Sequence, residues 1–207
     1  MDDIEEHLSH FAGKASLEDI ERERVYLSGL SKERFEEIKA HSTFEREYES
    51  NYKQAKQQQS AQWDAVRKKT TGTYVLFQIL NRTRETFSLS SSTWASESGS
   101  YDIQPAGCII FTLPGNLLKR ISSAKTGYRS SQINHQFTYR SGDYAFNFST
   151  AAYLSLKYEP FAFGDTTSVS RSHRIRSIGQ KEMDCEYTLE QNQSTSPYSY
   201  AITILIS

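Results

Sequence analysis

The sequence predicts an α+β protein, an N-terminal helical arm or hairpin followed by an antiparallel β-sandwich. Two observations predict it. Of residues 1–71, 27 are charged (12 Lys or Arg, 15 Asp or Glu) and none is proline; of the 136 from Gly72 onward, 22 are charged and all 4 prolines appear. The apolar period also changes there, from steps of three and four to steps of two. The expected domains are therefore an arm, 1–71, and a sandwich, 72–207.

In the arm, Ile4, Leu8 and Phe11 have helical spacing, and Gly13 ends that pattern. Ser16-Leu-Glu-Asp19 resembles a capping box, and Leu17, Ile20, Leu27 and Leu30 follow it, with a stop at Gly29. Ser31 can cap a further helix carrying Phe35 and Ile38, and Ser42-Thr-Phe-Glu45 marks a second start or a kink. Phe44, Tyr48, Tyr52, Ala55, Trp63 and Val66 then lie near one face. The stretch Lys53–Gln62 offers little to bury and is expected to be solvated on most sides. Residues 1–69 read as a helical hairpin or three-helix arm, packed only in part on the sandwich. Such an arm covers a sheet or dimerises; an interfacial membrane helix is the alternative, although its polar face mixes Glu with Lys and Arg.

After Gly72, nine short strands are expected. Thr73–Leu80 is a nearly continuous apolar run suited to a central strand, and Glu85–Ser90 alternates, with Phe87 and Leu89 on one face. Cys108–Leu113 is apolar and ends at Pro114-Gly115. Gln136–Arg140 and Tyr144–Phe148 flank Ser141-Gly-Asp143, a hairpin signal. Tyr153–Tyr158, Thr166–Ser170, Asp184–Thr188 and Tyr198–Ile206 complete the set, and turns at regular spacing make it a sandwich.

Composition excludes several classes. Neither half is basic enough to imply nucleic acid, and no apolar stretch approaches the roughly 20 residues of a membrane span. The acidic start, Met1–Glu6, lacks the form of a signal peptide, so a cytoplasmic protein, or one released by another route, is expected. Cys108 and Cys185 are then expected as free thiols. No catalytic or metal motif stands out. Ser122-Ser-Ala-Lys125 lacks the companions of a Ser-x-x-Lys site, and His7 and His10 lack the spacing and third ligand of a helical zinc site. No enzyme, cofactor or metal is expected.

Two surface features remain. Arg171-Ser-His-Arg174-Ile-Arg176 concentrates positive charge between two expected strands, and guanidinium forks suit phosphate oxygens. The same charges also suit a solvated strand edge that resists aggregation. Tyr158-Glu-Pro-Phe161-Ala-Phe163-Gly164 is an aromatic turn, suited to a membrane interface, a sugar, or the open end of a core.

Residues 72–207 resemble the aegerolysins, small fungal and bacterial β-sandwich proteins that bind membrane lipids. The matching pieces are Tyr74–Asn81, like the family's first strand, and Asp102–Phe111, like its turn ahead of an apolar strand. Phe137–Asp143 is similar to its central hairpin, Tyr158–Gly164 to its aromatic-Pro-aromatic-Gly loop, and Tyr200–Ile204 to its last strand. Where the family's loop carries tryptophans, this chain has Tyr158, Phe161 and Phe163, and the arm has no counterpart in short members. The resemblance implies a non-enzymatic lipid-binding module, peripheral at membranes, as a component of a pore-forming or cytolytic system. Under it, Tyr158, Phe161 and Phe163 meet the interface, and Arg171, Arg174 and Arg176 meet the lipid headgroup phosphate. Two other readings stand beside it: a self-associating structural protein that forms a homo-oligomer through residues 1–69, and a β-sandwich lectin.

Overall fold

The computed structural model describes residues 23–24, 26–27, 29, 31–95, 100–115, 129–157 and 166–207. The chain divides into two compact units, residues 1–49 and 50–207. One helix, α1 (Lys32–Arg67), runs through both. The expected helices over 1–30 lie mostly outside the described residues. Ser31 does cap α1, its hydroxyl accepting the Arg34 N–H at 3.3 Å. At Ser42–Glu45, where a second start or a kink was expected, no second helix starts. The Thr43 hydroxyl instead donates back to the Lys39 carbonyl at 2.8 Å, a bond that leaves the helix continuous.

Eight strands are described: β1 (Thr73–Asn81), β2 (Ser88–Ser92), β3 (Cys108–Gly115), β4 (Arg129–Ser141), β5 (Tyr144–Lys157), β6 (Thr166–Ser177), β7 (Cys185–Asn192) and β8 (Tyr200–Ile206). They form two four-stranded sheets, β3-β1-β8-β7 and β2-β4-β5-β6. All pairs are antiparallel except β1 with β8, which run parallel with Phe77 opposite Ile202. The protein is thus an α+β sandwich. Two expectations differ from it. The strands expected at 144–148 and 153–158 are one strand, because Ser149–Ala152 pair without interruption across both neighbours. The basic segment 171–176, expected as a connection, is the second half of β6.

Side chains alternate as the pleat requires. Val75, Phe77 and Ile79 of β1, Tyr200, Ile202 and Ile204 of β8, and Phe137, Tyr139, Phe146 and Phe148 of β4 and β5 fill the space between the sheets. Aromatic rings order that core: Phe77 stacks on Phe111 at 5.2 Å and meets Phe137 edge-on at 5.5 Å, and Trp94 lies 5.7 Å from both Phe111 and Phe137. Pro114 is tolerated within β3 because that strand is an edge.

The second face of β1 and β8 is buried too, with Leu76, Gln78, Leu80, Ala201 and Thr203 all below a tenth exposed. Residues 50–67 of α1 cross that face. Gln59 Nε2 donates to the Thr203 hydroxyl at 2.9 Å, which donates to Gln78 Oε1 at 3.2 Å. Asn51 donates to the Ala106 carbonyl at 3.0 Å, Lys56 pairs with Glu190 at 3.2 Å, and Ala55 and Val66 are buried. The stretch 53–62 is solvated on most sides as expected, with residues 53, 54, 57, 58, 60 and 61 exposed, yet Lys56 and Gln59 also bind it to the sheet through polar side chains. Helix α1 ends at Arg67, ahead of the composition switch at Gly72, whereas the compact unit begins at Ser50.

Candidate binding surface

Strand β6 sorts the basic segment by parity. Arg171, His173 and Ile175 turn toward the other sheet, and Arg174 and Arg176 are exposed on the outside. Arg171 is half-buried, and its Nη2 donates to the carbonyls of Gln193 and Tyr198, each at 3.0 Å. Its guanidinium also lies 5.2 Å from the centre of the Tyr200 ring. Burial pushes the Arg171 pKa down, partly countered by Tyr200. Arg171, expected beside Arg174 and Arg176 at a phosphate, instead directs its Nη2 to the connection between β7 and β8, on the inward face of its strand.

Arg171 belongs to an internal network. The Thr150 hydroxyl lies 2.9 Å from both His173 Nδ1 and the Tyr200 hydroxyl, and the Tyr187 hydroxyl donates to the His173 carbonyl at 3.3 Å. Burial, with the Arg171 charge adding to it, holds the His173 pKa below 6.5; burial pushes Tyr200 up, against smaller opposing effects of Thr150 and Arg171. Thr150 is 1% exposed and His173 is partly buried, and their contact joins β5, β6 and β8.

Arg174 and Arg176 remain as exposed cations. Across the sheet their partners are Ser149 and Asn147 on β5, which face Gln136 and Thr138 on β4. Arg140 on β4 shares this outward parity and is exposed, two strands away from β6, or about 10 Å. Among the described residues of this face there is no Asp or Glu; Asp143, in the turn beyond it, pairs with Lys181 at 3.2 Å. Ser149 and Ala151 leave the middle row shallow, and Tyr153 stands 44% exposed toward one end.

The other expected site residues, Tyr158, Phe161 and Phe163, lie outside the described residues, as do Ser122, Lys125, His7 and His10. Strand β6 begins at Thr166, so Arg174 and Arg176 lie about 26 and 33 Å along it. Sequence reasoning missed Arg140, although its step of two from Gln132, Asn134, Gln136 and Thr138 carries the signal once β4 is placed.

Among the described residues, no group of three or more His, Cys, Asp or Glu is arranged to hold a metal, and no helix is long and apolar enough to cross a membrane. Both cysteines are free. Burial pushes up the Cys108 pKa, and burial together with the Asp184 charge pushes Cys185 to about 11. No protein-family model matches the chain, and no curated protein sequence matches it.

Proposed function

We propose that this protein is a non-enzymatic binding module that attaches peripherally to membranes with the outer face of its β2-β4-β5-β6 sheet. One observation carries the reading: Arg140, Arg174 and Arg176 share a broad, shallow face on which no described residue is acidic. Guanidinium groups bind phosphate oxygens by two parallel hydrogen bonds, and lipid headgroups present such oxygens in a plane. The resemblance to the aegerolysins points to the same class of ligand and to a place in a pore-forming system. The headgroup phosphate is the anion, and Arg174 and Arg176 keep the role expected of them, with Arg140 in place of Arg171.

Each basic residue near an anionic surface contributes about 1 kcal/mol. Replacing all three arginines by Gln is therefore expected to weaken partitioning by about two orders of magnitude. Co-sedimentation with phosphatidylcholine vesicles, with and without phosphatidylserine, tests this at low and high salt. Binding to the anionic vesicles falls with salt, and the triple variant loses it. Equal binding by parent and variant overturns the reading.

Tyr153 supports a second reading. An exposed ring beside Gln132 and Asn134 on a shallow face also suits a glycan. A glycan array with Tyr153→Ala separates the two, since the membrane reading gives that ring no leading part.

A further inference from the structure

The end of the sandwich where the β4–β5 hairpin turns holds a cavity of about 310 Å³. That is at the lower end of small-molecule sites, roughly 300–1,000 Å³. Asn81 shapes its wall. The Asn81 amide donates to the Glu85 carbonyl at 2.7 Å and to the Gln104 carbonyl at 3.0 Å, while its oxygen accepts the Thr83 N–H and hydroxyl at 3.0 and 2.8 Å. The segment after β1 is thereby folded back, and Phe87 and Glu85 are brought beside Tyr144, Glu182 and Met183.

The chemistry of the lining is uneven. Phe87 and Met183 are buried and supply an apolar floor, and the partly exposed Tyr144 ring stands beside them. Glu85 and Glu182 are exposed carboxylates in the lining, against the one cation Arg84, which is engaged in an interaction of its own. A separate observation shows what the ring attracts: the Lys181 ammonium, held by Asp143 at 3.2 Å, lies 5.7 Å from the Tyr144 ring centre. Rings and thioethers with carboxylates nearby recognise organic cations, through the ring quadrupole and the opposite charge.

We infer that this cavity binds a small organic ammonium with an apolar body, the apolar part on Phe87 and Met183 and the cation between Tyr144 and the carboxylates of Glu85 and Glu182. Lys181 is the chain's own competitor for that position. The site lies at the hairpin end of the sandwich and does not depend on the membrane reading of the sheet's outer face.

Phenethylammonium is the probe, with phenylacetate and benzyl alcohol as anionic and neutral controls of similar shape. Calorimetric titration of the full chain is expected to give a dissociation constant of about 1 mM or tighter for the ammonium and weaker binding of both controls. The chain contains only 2 methionines, Met1 and Met183, so the Met183 methyl resonance reports occupancy at the floor. It should shift as the ammonium is added. Glu85→Gln with Glu182→Gln, both at exposed positions, should weaken binding by about tenfold. Lys181→Met should strengthen it, because a competing cation is gone and Asp143 is left uncompensated. Phenylacetate binding as tightly as the ammonium, an unmoved Met183 methyl, or unchanged affinity in the double Gln variant would each overturn the assignment.

Discussion

Arg171 Nη2 lies 3.0 Å from the Tyr198 carbonyl, so a cation on β6 ties down the connection that leads into β8. The same donor also binds the Gln193 carbonyl, at the other side of that connection. Three neighbouring arginines therefore divide by parity into one internal clamp and two exposed cations. Sequence proximity had grouped them; the pleat separates them.

The first prediction rests on that division. Arg171→Ala removes two charge-assisted hydrogen bonds and a cation–π contact, at a cost of about 2–3 kcal/mol. Urea denaturation should show the loss. Arg174→Ala and Arg176→Ala should leave the midpoint nearly unchanged, as exposed positions do. Vesicle binding should sort the same residues the other way, with Arg171→Ala normal wherever it is folded. A loss of binding without a loss of stability in Arg171→Ala would return that residue to the surface site.

A second prediction concerns pH. His173 and His135 both have pKa values held below the ordinary 6.5, chiefly by burial; the Arg171 charge adds to the effect at His173, and a bond to the Pro114 backbone opposes it at His135. The unfolded chain then binds protons first as pH falls. Stability is fully present above 6.5 and declines below it, by at most about 1.4 kcal/mol per pH unit for each histidine. Protonated His173 would also carry an Nε2–H with no acceptor among the described residues. Denaturation midpoints between pH 7.5 and 5 should fall, and His173→Gln should flatten the slope. A flat profile in the parent would mean that both imidazoles titrate normally.

Gly179 gives a third. A Cβ built there would clash with the Asp143 carbonyl oxygen and lie 2.6 Å from the Ala145 nitrogen, both of them backbone atoms. The Gly179 N–H donates to the Ala145 carbonyl at 3.2 Å, so the connection after β6 is seated on the β4–β5 hairpin. Gly179→Ala must push two backbones apart and should cost about 1–3 kcal/mol. Gly142→Ala, where no atom lies within 4 Å, is a control whose cost comes from its positive φ alone. If Gly179→Ala melts with the parent, the two segments are not in close contact.

The sandwich was legible because its strands announce themselves by period. Thr73–Asn81 is a nearly continuous apolar run, is buried on both faces and is central, and Ser141-Gly-Asp143 is the hairpin it resembles. The illegible parts share one cause: polar side chains that act inside. Gln59, Thr203 and Gln78 form a buried chain of hydrogen bonds, yet in sequence Gln59 belongs to a stretch that reads as surface. Arg171 and His173 look like their exposed neighbours until β6 has a register. Ser149–Ala152 looked like a gap between strands because small and polar residues carry little apolar signal, although their backbones pair as well as any. The cavity beside Tyr144 left no trace, since its lining residues come from four separated segments.

The last prediction tests where the stable unit begins. Composition places the boundary at Gly72, whereas the contacts of Asn51, Lys56 and Gln59 place residues 50–67 with the sheets. Removing that helix segment would bare the face on which Leu76, Leu80 and Ala201 are buried. Exposing two leucines costs about 3–6 kcal/mol, a large share of the roughly 5–15 kcal/mol that holds a domain of this kind. A fragment of residues 50–207 should therefore unfold cooperatively, with helical and strand signals lost together. A fragment of residues 72–207 should be markedly less stable and should bind a hydrophobic dye. Gln59→Ala in the full chain should lie between them, at a cost of about 1–3 kcal/mol, because the Thr203 hydroxyl loses its donor in a buried setting. If the 72–207 fragment proves as stable as the longer one, the helix is only a cover, and the boundary at the composition switch is the physical one.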